Sequence, residues 1–265
     1  MKAKKSYGQH FLISEIISRQ IADSLSLTTT YNDVLEVGPG KGMLTKYLLE
    51  KDYNLKVVEA DRDMVSYLNS NYPKLSPNII SEDFMKLRLE EVMGQNFAII
   101  GNYPYNISSQ IVFKMIESRQ FVPEMVGMFQ KEMAERIVAP PGNKTYGVIS
   151  VLTQAFYDGE LLFIVEPESF DPPPRVMSAV IRLTRKPDYE NLGCSHKLFR
   201  AIVKLSFGQR RKMLRNTMKA FIKGHEVLET PLFRERPEQL SVQDFVDLTN
   251  MVENIQKEQE KEKKE

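Results

Sequence analysis

The sequence predicts an α/β protein, with a mainly parallel sheet over residues 1–185 and a small all-helical domain over 186–265. Three observations carry this. Strand-like apolar runs alternate with helix-like stretches through the first 185 residues. A glycine-rich turn follows the first of those strong runs. No strand signal appears beyond the break at Arg185-Lys186-Pro187-Asp188.

Val34 to Val37 is a short apolar run ending at Gly38, and Met43 to Glu50 then has helical spacing. Leu55 to Glu59 reads as a second strand and Asp63 to Asn69 as the next helix. Asn78 to Ser81 and Phe97 to Ile100 are a third and fourth strand. Buried apolar runs separated by helices predict βαβ units. Glu124 to Gln130, Leu161 to Val165 and Ser178 to Leu183 extend the sheet, the last two as antiparallel strands. Beyond the break, helices are expected over His196–Phe207, Gln209–Lys223 and Val242–Ile255. The tail from Lys257 to Glu265 holds four lysines and four glutamates, which predicts a frayed helix end or disorder.

A length of 265 residues with 42% hydrophobic and 27% charged side chains suits one large domain and a small one. Lys2, Lys4 and Lys5 lead into no apolar stretch, so no secretory signal is read, and no run nears the roughly 18 apolar residues of a membrane span. One cysteine, Cys194, excludes an internal disulfide, and the scattered His10, His196 and His225 argue against a metal centre. The chain is expected to be cytoplasmic, metal-free and monomeric.

The net charge of +1 conceals an uneven distribution. From Lys197 to Lys223 there are nine basic residues and no acidic one, among them Arg210, Arg211, Lys212 and Arg215. A solvated helix face usually mixes signs, so this run points to a polyanion such as a nucleic acid.

In an open α/β sheet, ligands bind beyond the carboxyl ends of the strands. The first strong strand runs into Gly38-Pro39-Gly40-Lys41-Gly42. Met43 stands where a dinucleotide fingerprint needs its third glycine, so the pattern reduces to Glu36-x-Gly38-x-Gly40. That suits a ligand with no pyrophosphate, and S-adenosylmethionine is such a ligand. Glu59 ends the next strand, placed to accept from ribose hydroxyls, and Asp83 follows the third, placed to take the adenine amine. A strand-end acid alone is more often a helix cap. Three motifs on three successive strand ends favour the cofactor.

The fourth strand ends in Gly101-Asn102-Tyr103-Pro104-Tyr105. An exocyclic adenine amine is a poor nucleophile, because its lone pair is delocalised into the ring. The Asn102 amide oxygen and the carbonyl of Tyr103 or Pro104 can accept its two N–H donors and favour a pyramidal nitrogen. Pro104 stiffens the loop, and Tyr105 offers a face to a base taken out of its stack. A plain turn is the alternative, since Asn and Pro are turn formers. Phe170-Asp171-Pro172-Pro173-Pro174-Arg175 is a second stiff segment, either a polyproline connector or a loop whose Phe170 stacks on the base opposite Tyr105.

With these residues in view, the chain resembles the ribosomal RNA adenine dimethyltransferases, whose bacterial members modify two adjacent adenosines near the end of small-subunit RNA. The likeness runs through Gly8-Gln9-His10-Phe11-Leu12, Glu36-Val37-Gly38-Pro39-Gly40, Asn102-Tyr103-Pro104-Tyr105-Asn106-Ile107-Ser108, Gln130-Lys131-Glu132 and Tyr146-Gly147. It continues through Phe170-Asp171-Pro172-Pro173-Pro174, Phe207-Gly208-Gln209-Arg210-Arg211-Lys212 and Arg236-Pro237-Glu238-Gln239-Leu240-Ser241. The resemblance implies a Rossmann-like class I methyltransferase domain and a helical domain that helps grip RNA within a small-subunit precursor. It implies cofactor contacts at His10, Leu12, Gly38, Glu59, Asp83 and Asn102, a catalytic loop at Asn102 to Tyr105, and Phe170 on the target base. His10 stands where the family more often has asparagine, so a core or surface histidine is the alternative there. Tyr103 replaces the commoner leucine.

Three other readings share parts of this pattern. A large-subunit RNA adenine methyltransferase of the antibiotic-resistance type would share the cofactor and acceptor motifs, but the Gln209–Asn216 and Arg236–Glu238 segments look more like the small-subunit enzymes. A non-catalytic assembly factor on the same fold should have lost Glu59, Asp83, Asn102, Pro104 or Tyr105. A DNA adenine methyltransferase would need a larger region for reading base edges.

Overall fold

The structure, a computed structural model, describes residues 9–262. Lys2, Lys4, Lys5 and Gly8 of the opening motif, and the last three residues of the tail, lie outside that range. The chain divides into two compact units, one of residues 1–135 and 157–186, the other of residues 136–156 and 187–265.

The strands are β1 (Phe11–Leu12), β2 (Asp33–Val37), β3 (Asn54–Val58), β4 (Ile79–Ile80), β5 (Phe97–Asn102), β6 (Glu124–Gln130), β7 (Tyr157–Val165), β8 (Phe170–Asp171) and β9 (Ser178–Arg185). Seven of them form one sheet in the order β4-β3-β2-β5-β6-β9-β7. β2 pairs in parallel with β3 and β5, and β5 with β6. β9 runs antiparallel to both β6 and β7, which matches the expectation for the last two strands. The chain moves outward from β2 through β3 to β4, then returns to the other side of β2 with β5. The strand order therefore reverses between β2 and β5, and the cleft beyond their carboxyl ends is where such a sheet binds ligands.

Central strands are apolar because both faces are covered. Val34, Leu35, Val57, Ala98, Ile99 and Ile100 are fully buried. The helices of this unit are α1 (Glu15–Ala22), α2 (Thr45–Leu48), α3 (Arg62–Asn71), α4 (Leu89–Met93), α5 (Ser108–Glu117) and most of α6 (Lys131–Val138). Ser14 caps α1 by accepting from the Ile17 N–H at 3.4 Å, and Asp61 caps α3 from the Asp63 N–H at 3.0 Å. Both caps satisfy donors that the first turn of a helix leaves free. The helix expected over Met43–Glu50 is regular only over Thr45–Leu48.

The second unit holds α7 (Val148–Gln154), α8 (His196–Gly208), α9 (Leu214–Met218) and α10 (Val242–Glu262). α8 packs against α7, α9 and α10. Its buried face is Phe199, Ile202, Val203 and Ser206. Two expectations need correction here. A division at residue 185 leaves 136–156 in the first domain, whereas this segment belongs to the second unit. Gln154 folds it back on itself by donating to the Ile137 and Ala139 carbonyls at 3.1 and 2.8 Å. The helix expected over Gln209–Lys223 is regular only over Leu214–Met218. After Gly208 the chain turns, with the Lys212 N–H on the Gln209 carbonyl at 2.8 Å and the Leu214 N–H on the Glu235 carbonyl at 2.9 Å. Leu214, Met218 and Ile222 are still buried, so a short helix between turns meets the same apolar spacing that a long one would. The charged tail continues α10 as far as Glu262.

Candidate active site

Beyond the carboxyl ends of β2, β3 and β5 lies a cavity of about 530 Å³, lined by Leu12, Glu36, Gly38, Gly40, Glu59, Asp83, Asn102 and Tyr105 among others. The β2–α2 turn shapes its floor. Gly40 sits at φ +54°, a region that disfavours other residues, and a Cβ there would meet the Phe11 ring at 3.2 Å. This turn leaves the Gly40 N–H free to donate to Glu59 Oε2 at 3.1 Å, while the Asp61 N–H donates to Oε1 at 2.9 Å. Burial pushes the Glu59 carboxyl above its ordinary value, and these backbone donors oppose the push. Glu36 is 1% exposed, accepts from the Thr45 hydroxyl at 2.7 Å and is pushed up to about 8 by burial. Asp83 caps the short turn Phe84–Lys86, accepting from the Met85 N–H at 2.9 Å.

The acceptor loop leaves the sheet at Asn102. Asn102 Nδ2 donates to the His10 carbonyl at 3.1 Å. A carbonyl can only accept, so this bond fixes the amide and turns Oδ1 the other way. Of the two carbonyls that sequence left open, that of Pro104 accepts the Ile107 N–H at 3.2 Å. The Tyr103 side chain points into the core. It is 1% exposed, its hydroxyl donates to the Val126 carbonyl at 3.2 Å, and its ring lies 5.0 Å from that of Phe129. Gly127 makes room for it, since a Cβ there would stand 1.9 Å from the ring. Tyr105 is half-buried and anchored by a 2.6 Å hydrogen bond between its hydroxyl and that of Ser178.

The segment before α1 closes over these elements. Gln9 Nε2 donates to Asp61 Oδ2 at 3.1 Å, and the Ile13 N–H donates to the Ser169 carbonyl at 2.8 Å. Lys41 Nζ lies 4.7 Å from the centre of the Phe11 ring. His10 lines the cavity, but its ring is engaged elsewhere. It stacks on Tyr105 at 5.4 Å and 26°, and Nδ1 donates to the Pro172 carbonyl at 2.8 Å. Phe170, expected to stack on the base opposite Tyr105, pairs with Leu12, is 2% exposed and belongs to the apolar core with Val165 and Val180. The ring that stacks on Tyr105 is that of His10.

The "Ribosomal RNA adenine dimethylase" family model matches residues 1–257. The chain belongs to that family. It is 55% identical over 254 residues to "Ribosomal RNA small subunit methyltransferase A" of Flavobacterium johnsoniae, covering 96% of this chain and 97% of the relative. It is 53% identical over 250 residues to the protein of the same name from Parabacteroides distasonis, covering 94% and 93%. Among solved structures, it resembles a dimethyladenosine transferase from Plasmodium falciparum, with a TM-score of 0.77, 24% identity, and coverage of 93% and 98%. It also resembles a 23S rRNA methyltransferase, with a TM-score of 0.65, 22% identity, and coverage of 91% and 99%. These two likenesses concern the fold, a Rossmann-like methyltransferase domain with a helical C-terminal region.

In this dimethylase-family chain the basic run of the second unit is sorted by its partners. Lys197, Arg200 and Lys204 are exposed on the face of α8 opposite its buried residues. Arg211 and Lys212 are exposed in the turn after it. Arg210 is half-buried, with Nη2 on the Asn143 carbonyl at 3.3 Å and Nε 3.8 Å from Glu238, and Arg215 lies 3.7 Å from Glu229. Sequence reasoning grouped Arg210, Arg211, Lys212 and Arg215; Arg211 and Lys212 are exposed, while Arg210 and Arg215 are internally paired. It passed over Phe84, a buried aromatic in the cavity wall directly after Asp83. An apolar residue next to a strand-end acid is the signal that marks it.

Proposed function

We propose that this enzyme transfers methyl groups from S-adenosylmethionine to the N6 amines of two adjacent adenosines near the 3′ end of small-subunit ribosomal RNA, within a precursor of the subunit. The observation that carries the chemistry is the Asn102 amide, held through Nδ2 so that Oδ1 is presented as an acceptor. The family and the names of its relatives support the choice of RNA. The enzyme works as a cytoplasmic monomer in this reading; among the described residues no helix is long and apolar enough to cross a membrane.

The residues present fit a nucleoside cofactor. Glu59 has both oxygens oriented by backbone donors and retains lone pairs for two ribose hydroxyls. Asp83 uses Oδ1 for its cap and has Oδ2 for an adenine amine. Gly38 and Gly40 keep the floor free of side chains, and Leu12 closes it from above, beside the His10 backbone. When bound, the cofactor supplies an electrophilic methyl group on a sulfonium that leaves as a neutral thioether.

The chain's own residues prepare the amine. Asn102 Oδ1 and the Tyr103 carbonyl accept its N–H bonds, which orients the lone pair; each transfer then releases one proton to solvent. No strong base is needed, because the neutral amine attacks a cationic centre and positioning dominates. Tyr105, held by Ser178, offers the stacking surface, with its phenol kept protonated by burial. An adenine using that face has to displace the His10 ring or take the opposite face.

Asn102→Ala removes an oriented acceptor and is expected to lower kcat about 10²–10³-fold. RNA affinity should stay within about twofold of the parent, since phosphate contacts dominate it. Normal turnover in that variant contradicts the mechanism.

A further inference from the structure

α5 begins at Ser108, directly after the acceptor loop, and carries Lys114 halfway along. Lys114 Nζ donates to the Met85 carbonyl at 3.0 Å and to the Leu87 carbonyl at 2.5 Å. It also lies 5.3 Å from the centre of the Phe84 ring. All three partners belong to the short turn at Phe84–Lys86 or to its C-cap Leu87, and its N-cap is Asp83. The Met85 peptide is thus gripped at both ends, its N–H by Asp83 and its carbonyl by Lys114.

The remaining backbone bonds of this turn are local. The Lys86 N–H bonds the Asp83 carbonyl at 2.9 Å, and that of Leu87 bonds Phe84 at 3.3 Å. Lys114 is therefore a side-chain tie between the turn and a long helix. Partial burial lowers the Lys114 pKa, and the Asp83 charge works against that lowering. An ammonium suits the position because it offers three donors and no acceptor, so two carbonyls and an aromatic face can share it.

We propose that Lys114 is a positioning residue for the purine of the cofactor, setting where Asp83 and Phe84 meet the base. This rests on the reading above, in which the cavity takes a nucleoside with its adenine amine on Asp83. The tie then governs the preference for a 6-amino over a 6-oxo purine, since a loosened Asp83 no longer aligns with the amine.

The test is calorimetric titration of the full chain with S-adenosylhomocysteine and with S-inosylhomocysteine, for the parent, Lys114→Met and Lys114→Arg, each checked as folded by circular dichroism. Lys114→Met keeps the stem and removes the donors. Its affinity for the adenosyl compound is expected to fall about tenfold while that for the inosyl compound barely moves, so the ratio collapses. Lys114→Arg keeps the charge and donors and should retain more of the ratio than Lys114→Met. In turnover, KM for the cofactor should rise in Lys114→Met while KM for RNA does not. A Lys114→Met protein that keeps the parent's ratio overturns the proposal, even if its melting temperature falls, because the residue is then merely structural. A parent that binds neither compound overturns the cofactor reading itself, which is a separate and visible failure.

Discussion

In the proposed mechanism single residues decide the acceptor geometry, and several do so through backbone rather than side chain. His10 fixes Asn102 through a carbonyl that any residue would supply, so its departure from asparagine leaves that bond intact. Its imidazole instead joins Tyr105 to the Pro172 loop. Tyr103 departs from leucine at a position whose side chain faces away from the cavity. Tyr103→Leu is expected to cost about 1–3 kcal/mol of stability, from a cavity and a lost hydrogen bond, with turnover largely kept. Denaturant unfolding beside a methyl-transfer assay checks this; lost turnover at full stability would give the phenol a catalytic role. Glu36 offers a pH test. Burial holds its carboxyl up to about 8 in the folded protein, against an ordinary value of 4.5. The folded state therefore binds more protons than the unfolded chain between those values, so this contribution to stability is complete below 4.5 and lost as pH rises through about 8. In Glu36→Gln the drop in melting temperature from pH 6 to 9 should be smaller than in the parent, and an equal drop places the titrating group elsewhere.

At the scale of elements, the long strands were legible because the central sheet needs nearly continuous apolar runs, as at Phe97–Ile100 and, broken only by Glu36, at Val34–Val37. β1 and β8 were not, since each is a two-residue strand outside the main sheet whose partner lies far off in sequence. Their pairing is what turns Phe170 inward, and no motif match reveals burial. Phe170→Ala is expected to cost about 3–5 kcal/mol, as for other fully buried phenylalanines, whereas Phe170→Leu should fold well. If Phe170→Leu is stable yet inactive, the ring takes part in the reaction through a conformation in which it leaves the core. The turn after α8 escaped for a different reason, because a short helix between turns buries the same residues as a continuous one. The direction of the Tyr103 side chain was hidden too, since a loop residue has no alternation to read. Gly127 opposite it was the available clue, a small residue within a core strand.

For the whole molecule, the cavity that gathers Gly38, Glu59, Asp83 and Asn102 was legible from strand ends, because open α/β sheets place ligands there by construction. Membership of residues 136–156 in the second unit was not legible, since it depends on contacts distant in sequence such as those between α7 and α8. The basic run was legible as charge, but its division into exposed and paired groups was not. Replacing Arg211 and Lys212 together by glutamine should leave the melting temperature unchanged and flatten the salt dependence of RNA binding by up to about two units in log–log slope. Arg210→Gln should in addition lose stability, because Arg210 holds the Asn143 carbonyl and neighbours Glu238. An unchanged salt slope in the double variant would make this turn a solvated surface.

The central claim is most directly tested by incubating the protein with labelled S-adenosylmethionine and purified, unmodified small or large ribosomal subunits, then identifying the modified nucleosides by mass spectrometry. The account predicts N6,N6-dimethyladenosine in small-subunit RNA alone, at two adjacent positions near the 3′ end. Label in large-subunit RNA, or no label despite bound RNA, would contradict it.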